Sequence, residues 1–104
     1  MKIRTDHSIS DIENLPGTTQ VGVSYGMFVF PWDRRMGWGT KEHPERLRQF
    51  QKLGYDYVLC TVNLGNEAQV KILERFGWKR LDWFRSAKTE HAVAVYGKDL
   101  TKVL

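Results

Sequence analysis

Residues 27–40 read MFVFPWDRRMGWGT. The apolar start of this stretch predicts the end of a strand, which Pro31 brings to a turn. The turn is followed by two arginines and then by two glycines one residue apart: Arg34, Arg35, Gly37 and Gly39. Such a loop can bring backbone N–H groups and guanidinium charge against a phosphate. The stretch therefore predicts an anion-binding loop, although the two glycines alone would also suit a surface turn.

The composition indicates a small packed globule. The chain has 104 residues, of which 41% are hydrophobic and 12% aromatic, enough for one core. We therefore expect a single domain over residues 1–104. The net charge of +4 suits an anionic ligand such as a phosphorylated cofactor. Because the basic residues are dispersed rather than aligned in a stripe, nucleic acid is not an expected partner.

Cysteine usage and hydropathy exclude several further classes. Cys60 is the only cysteine, so an internal disulfide is excluded and a cysteine-based metal site is disfavoured. We expect no metal. No apolar run approaches the ~20 residues that a membrane-spanning helix needs. We therefore expect no membrane partner and a cytoplasmic location.

The segment before the loop predicts strands with one helical turn. Residues 1–4 suit a short edge strand. Ser10 could cap a single helical turn over residues 11–13, before a Pro-Gly pair ends it. Residues 20–30 are rich in β-branched and aromatic side chains and predict a strand, with a hairpin or a bulge near Gly26.

The segment after the loop alternates helices and strands. A helix is expected to begin near His43, with Pro44 in its first turn, and to end at Gly54. The remaining elements follow in chain order: a covered central strand over 57–62, a helix over 67–76 capped by Asn66, and strands over 78–85 and 91–96 with a turn at 88–90. The apolar face of the second helix consists of Ala68, Ile72, Leu73 and Phe76. This order predicts a mixed α/β or α+β sheet domain.

Two motifs resemble those of the GCN5-related N-acetyltransferases (GNATs). Arg34-x-x-Gly37-x-Gly39 resembles the family's pyrophosphate-binding motif R/Q-x-x-G-x-G/A. Further along, Asn66-x-Ala68-x(4)-Leu73-x-x-Phe76-Gly77-Trp78 resembles the segment N-x-x-A-x-x-x-Y-x-x-x-G-F, with one residue of drift before the alanine. The resemblance covers residues 27–97.

The resemblance implies an abbreviated GNAT fold, a mixed and mostly antiparallel sheet flanked by helices. It also implies acetyl-CoA, or another acyl-CoA, as co-substrate. In the family, the strand corresponding to residues 57–62 splays from its neighbour, and the pantetheine arm lies in the gap. The implied cofactor-binding residues are Val29, Arg34, Arg35, Met36, Gly37, Trp38, Gly39, Thr40, Asn63 and Asn66.

The sequence departs from the family pattern at the catalytic positions. Leu73 stands where many members have a tyrosine that returns a proton to the CoA thiolate, which a leucine cannot do. Residues 20–30 also lack the acid that serves as general base in many members. The catalytic residues are therefore unknown, with Tyr25 and His43 as candidates. In addition, a helix that begins at His43 starts later than the family's helix, which follows its glycines directly.

The interpretation that follows is an acyl-CoA-dependent N-acyltransferase whose acceptor amine attacks the thioester directly. Because the chain before the loop is short, the expected acceptor is a protein amine, and a homodimer could complete the acceptor groove. The alternative is a catalytically degenerate GNAT-like binding or structural module. Abbreviated proteins of this kind occur in bacteriophages as virion components or host inhibitors, and on that analogy we expect a phage origin and the host cytoplasm.

Overall fold

The protein is described by a computed structural model that covers residues 1–30 and 37–102, with no account of the Phe28 and Val29 side chains. The described residues form six strands and three helices. In chain order these are β1 Lys2–Arg4, β2 Ser8–Asn14, β3 Val21–Val29, α1 Trp38–Lys41, α2 His43–Lys52, β4 Tyr57–Asn63, α3 Glu67–Arg75, β5 Lys79–Arg85 and β6 Ala92–Asp99. No helix among them is both long and apolar enough to cross a membrane.

The six strands form one sheet in the order β1-β2-β3-β4-β6-β5. Only β3 and β4 pair in parallel, and the other described neighbours are antiparallel. This arrangement confirms the predicted fold class, a mixed and mostly antiparallel sheet with helices. β5 lies at the outer edge, and each of its residues is exposed.

The predicted helical turn after Ser10 is wrong, because residues 8–14 form strand β2. Ser8, Ser10 and Ile12 are buried, while the residues between them are less buried, which is the two-residue period of a strand. β2 pairs with β1 on one side and β3 on the other. Pairing on both edges therefore outweighs the local capping preference of the serine.

The expected bulge near Gly26 is confirmed. Ile9 pairs with Phe28 and Asp11 pairs with Tyr25, so β3 carries one more residue than β2 across this interval. Gly26 has φ +65°, a left-handed conformation that glycine adopts without penalty. A bulge of this kind bends the strand that carries it.

The parallel ladder between β3 and β4 is short. It runs from the pair Val21–Tyr57 to the pair Val23–Leu59 and then stops. Beyond it, β4 stays paired with β6 through Asn63, while β3 stays paired with β2 through Val29. The two central strands therefore diverge toward their carboxyl ends, as the resemblance implied for the strand over residues 57–62.

Two helical segments follow the glycines. α2 begins at His43 with Pro44 in its first turn, and Gly54 follows its end with φ +93°, as expected. The expected delay before helical structure begins is wrong, because the single turn α1 starts at Trp38. Gly37, with φ +77°, precedes this turn directly.

α3 connects β4 to β5 and packs against the core. The Asn66 side chain accepts a hydrogen bond from the Gln69 amide at 3.2 Å, so the predicted cap is confirmed. Leu73 is buried in the core cluster, and Val70 and Phe76 pack against that cluster. Ala68 is exposed, so its assignment to the buried face is wrong.

The core lies between the sheet and the helices α2 and α3. Its largest fully buried side chains include Phe50 of α2, Leu73 of α3 and Tyr96 of β6. Burying an aromatic or leucine side chain of this size contributes about 1.5–3 kcal/mol each. The helices are thus held against the sheet beneath the point at which β3 and β4 part.

Candidate functional site

A cleft of about 360 Å³ opens where β3 and β4 diverge. Its walls come from the carboxyl-terminal halves of those strands, and its floor comes from α2, α3 and Trp78. The lining residues are Ser24, Tyr25, Gly26, Met27, His43, Arg46, Phe50, Cys60, Thr61, Val62, Asn63, Asn66, Gln69, Leu73 and Trp78. Its floor combines apolar side chains with several polar ones, and a concave site of this size is typical of small-molecule binding.

The strand walls offer backbone hydrogen-bonding groups. Because the β3–β4 ladder ends at Val23 and Leu59, the facing backbone edges of the later residues make no ladder bonds to each other. An extended ligand can pair with such free edges in the manner of an added strand. Cys60 is on the β4 wall, and burial raises the pKa of its thiol to about 12, so the thiol stays protonated at neutral pH.

His43 lies in the floor as a neutral side chain. It is 5% exposed, and its Nε2 accepts a hydrogen bond from the indole Nε1 of Trp78 at 2.8 Å. Burial, together with the positive charges of Arg46 and Lys98, lowers the pKa of His43 to about 4. The ring also stacks on Phe76, with 4.8 Å between centroids. The Nε2 lone pair is therefore occupied and is not available to take a proton from a substrate.

Arg46 reaches from the floor to strand β2. Its Nη2 donates to Ser8 Oγ at 2.5 Å. Ser8 Oγ in turn donates to Glu42 Oε1 at 3.1 Å, and Thr5 Oγ1 donates to the same oxygen at 2.5 Å. This chain of hydrogen bonds ties α2 to the amino-terminal strands.

Tyr25 lies at the exposed rim of the cleft, on the wall formed by β3. A hydrogen bond from its phenol to Glu13 is the main cause that raises the pKa of Tyr25 above 10.0, and the neighbouring Asp11 charge adds to it. The phenol is therefore protonated at neutral pH. Its single proton is engaged by Glu13, so it can serve a group in the cleft only after that hydrogen bond breaks.

Gly39 lies close to Met27, one of the residues that line the cleft. A Cβ built on Gly39 would lie 3.4 Å from Met27 Cε and 3.4 Å from Ile72 Cδ1, so α1 passes close to both β3 and α3. Lys41 is the first residue whose amide bonds within this turn, to Gly37 O at 3.0 Å. The amides before it are not used by the helix. Trp38 stacks on His7, with 3.5 Å between ring centroids.

The structure brings several sequence-predicted residues together. Five of them line the same cleft: Tyr25, His43, Asn63, Asn66 and Leu73. Trp38, Gly39 and Thr40 form α1 at the mouth, directly after Gly37. Val29 ends strand β3. Arg34, Arg35 and Met36 lie outside the described residues, so their assignment to the cofactor stays a prediction.

Sequence reasoning missed Arg46, Gln69 and Trp78 as cleft residues. The spacing of Arg46, Leu47 and Phe50 puts the arginine on the buried face of a helix, which is a signal for a buried charge. No group of three or more potential metal ligands occurs within the described ranges.

No family model and no curated protein matches the sequence. Solved structures do match. The putative acetyltransferase yncA from Salmonella typhimurium, solved with its cofactor acetyl-CoA, superposes with a TM-score of 0.76 at 10% identity, over 93% of this chain and 60% of that one. The ribosomal-protein-S18-alanine N-acetyltransferase from Escherichia coli gives a TM-score of 0.75 at 13% identity, over 94% of this chain and 64% of that one.

A third structure extends the likeness to an enzyme named for a small-molecule substrate. The spermidine/spermine N-acetyltransferase SpeG from Vibrio cholerae gives a TM-score of 0.77 at 12% identity, over 92% of this chain and 60% of that one. The chain therefore spans a little over 60% of the length of these neighbours. Identities this low establish the fold only. By its strand order, its diverging central strands and these superpositions, the chain has the fold of the GCN5-related N-acetyltransferases.

Proposed function

We propose that this protein binds an acyl-CoA and transfers the acyl group to an amine. The observation that carries this proposal is the open wedge between β3 and β4, with the glycine-led turn α1 at its mouth. The acetyl-CoA present in the Salmonella neighbour supports the choice of ligand. The wedge suits a linear molecule, because two free strand edges can pair with successive amide groups.

The residues present fit the parts of such a ligand. Backbone amides between Gly37 and Thr40 suit the diphosphate, since amides that a helix leaves unused favour an anion. Arg34 and Arg35 would add charge there. The strand edges near Val29 and Asn63 suit the amides of the pantetheine arm, and Asn66 can orient the ligand while it caps α3.

The chemistry follows from this placement. The acceptor nitrogen attacks the thioester carbonyl, the carbon–sulfur bond breaks, and the sulfur leaves as a thiolate. The nitrogen releases its proton to solvent water. Backbone N–H groups of the open strand edge stabilise the negative charge that develops on the carbonyl oxygen. Tyr25 gives up its hydrogen bond to Glu13 and supplies the proton that the thiolate takes, since Leu73 cannot; the phenolate then regains a proton from solvent.

We propose a protein amine as the acceptor. The Escherichia coli neighbour, which is named for a ribosomal-protein substrate, supports this choice. One neighbour is named for a protein substrate and another for polyamines, so the fold alone leaves the acceptor class open. A homodimer that completes the acceptor side stays a prediction.

Ligand binding can be tested by thermal unfolding with and without acetyl-CoA. A ligand that binds only the folded state raises the midpoint by mass action, by about 2.7 kcal/mol in free energy at one hundred times its dissociation constant. We expect a rise with acetyl-CoA and a smaller one with pantetheine, which lacks the diphosphate. A midpoint that acetyl-CoA does not move would contradict the proposal.

A Tyr25→Phe variant tests the proton donor. We expect kcat to fall by roughly tenfold to a thousandfold, because general acid catalysis contributes about 10²–10⁴ in rate and water can replace part of it. The dissociation constant for acetyl-CoA should stay the same. Tyr55→Phe is the matched control, since the Tyr55 hydroxyl donates to Asn14 Oδ1 at 2.6 Å and does not line the cleft. Equal rates for the two variants would remove Tyr25 from the mechanism.

One observation favours a second function, a binding module without catalysis. Leu73 is buried in the cleft floor at the position where the resemblance implies a tyrosine. A chain of this kind would bind acetyl-CoA and leave every amine unmodified. Mass spectrometry of a panel of amine-bearing peptides, incubated with the protein and acetyl-CoA, separates the two functions.

A further inference from the structure

The floor of the cleft contains a buried cation that the proposed chemistry leaves unused. Arg46 lines the cleft and is only 4% exposed. Its Nη2 donates to Ser8, whereas its Nη1 is buried and has no hydrogen-bond partner among the described residues. Buried polar groups in native proteins are almost always hydrogen-bonded. The unpaired Nη1 therefore points to a missing acceptor.

Glu42, the residue that caps the start of α2, does not supply that acceptor. Glu42 Oε1 accepts from Thr5 and Ser8, and Oε2 accepts from the His7 amide at 3.3 Å. Within the described ranges, Arg46 makes no direct ion pair with a carboxylate. Burial lowers the pKa of Arg46, and the Glu42 charge offsets this only in part. A desolvated guanidinium without a contacting anion is costly unless a ligand completes the pair.

A second unpaired group lies on the strand that Arg46 contacts. Ser10 is 1% exposed, and its Oγ has no partner among the described residues. It lies on the same face of β2 as Ser8, because side chains two residues apart in a strand point the same way. Ser10 does not line the cleft, so among the described residues that do line it, Arg46 is the one with a buried polar atom that lacks a partner.

We propose that the cleft binds a carboxylate of one of its two substrates on Arg46 Nη1. This inference rests on the proposed function and names a substrate class for it. In the proposed function, the phosphates of the acyl donor bind at the backbone amides between Gly37 and Thr40. The anion that pairs with Arg46 in the cleft floor is therefore a different group. A carboxylate supplies an oxygen acceptor and the charge that the guanidinium lacks. It can come from the acyl group, as in a dicarboxylic acyl thioester, or from an acidic side chain beside the acceptor amine.

Calorimetry with two thioesters tests the acyl group as the source. Succinyl-CoA and butyryl-CoA have acyl chains of equal length, and only the first ends in a carboxylate. With the wild-type chain we expect succinyl-CoA to bind at least about tenfold more tightly, as a charge-assisted hydrogen bond in a buried site predicts. Arg46→Met, which keeps the apolar stem, should bring the two affinities together.

Arg48→Met is the matched control. Arg48 lies on the same helix, pairs with Glu45 at 3.0 Å and does not line the cleft. The Arg48→Met substitution removes the same charge from the chain. A preference for succinyl-CoA that is kept in Arg48→Met and lost in Arg46→Met therefore assigns the effect to the cleft. If Arg46→Met does not fold, the wild-type comparisons of both ligand pairs decide, and the absence of a preference for the carboxylate ligand in either pair overturns the proposal.

A second pair of ligands tests the acceptor as the source. With acetyl-CoA present, two peptides are compared that differ only in glutamate or glutamine after the amino-terminal residue. A preference for the glutamate peptide that Arg46→Met removes supports the proposal with this source. If thioesters bind and neither pair is discriminated, or if Arg46→Met and Arg48→Met behave alike, the proposal is overturned. If no thioester binds, the proposed function fails first and the inference fails with it.

Discussion

A Gly37→Val variant is expected to lose measurable affinity for acetyl-CoA while the domain stays folded. Gly37 has φ +77° and opens the turn whose amides would hold the diphosphate. A β-branched residue is strained in this conformation by about 1–2 kcal/mol, so the backbone must turn and carry those amides out of place. Nothing packs tightly here, since the nearest atom to a built Cβ is Lys41 Cε at 3.9 Å. Calorimetry and thermal unfolding measure the two effects separately.

Gly54→Val is the matched control for this loss. Gly54 has φ +93° and no atom within 4 Å of a built Cβ, and it lies at the other end of α2. The backbone strain in Gly54→Val is therefore comparable, but the strained residue lies away from the cleft mouth. We expect both variants to unfold at similarly lowered temperatures, with acetyl-CoA affinity lost only in Gly37→Val. An affinity that both variants retain would remove the glycine turn from the binding site.

The second large effect is a loss of stability in mild acid. The pKa of His43 is about 4 in the folded chain, against an ordinary 6.5 when unfolded. Below pH 6.5 the unfolded chain therefore binds a proton that the folded chain does not. The free energy of unfolding should fall by about 3 kcal/mol between pH 6.5 and 4, and this contribution should level off below pH 4. Urea titrations at a series of pH values measure it.

A His43→Gln variant isolates this contribution from the titration of surface carboxylates. Glutamine cannot gain a proton in this range, and its side-chain oxygen can accept the hydrogen bond from Trp78. Its stability should therefore decline less steeply with acid than that of the wild type. His91→Gln, at an exposed histidine, should follow the wild-type curve. Parallel curves for the wild type and His43→Gln would contradict the buried neutral histidine.

Much of the fold was predictable because local patterns and tertiary pairing agree. Helix-capping residues and glycines predicted α2 and α3, and runs of β-branched residues predicted β3, β4 and β6. The bulge at Gly26 was also expected. The prediction of a helical turn after Ser10 was wrong. The Ser10 side chain is a good helix cap, but strand pairing on both edges of residues 8–14 determines their structure.

The site was predictable to a smaller extent. The resemblance indicated that the central strands diverge, and their short ladder agrees. Arg46 was missed because its role depends on β2, which is distant in sequence and was not expected to be a strand. Trp78 ends the second motif that resembles the family's, but only the fold shows that its indole N–H donates to His43 in the cleft floor. Such pairs arise from packing between elements and leave no local pattern.

The raised pKa of the half-buried Cys60 thiol has a practical consequence. Since only thiolates react readily with maleimides and iodoacetamides, a thiol with a pKa near 12 is almost inert at neutral pH. It is also the only cysteine of the chain. A single cysteine introduced on the surface can therefore receive a fluorophore or spin label selectively, without first replacing the native one. Distances across the wedge can then be followed during ligand titrations in an otherwise unaltered protein.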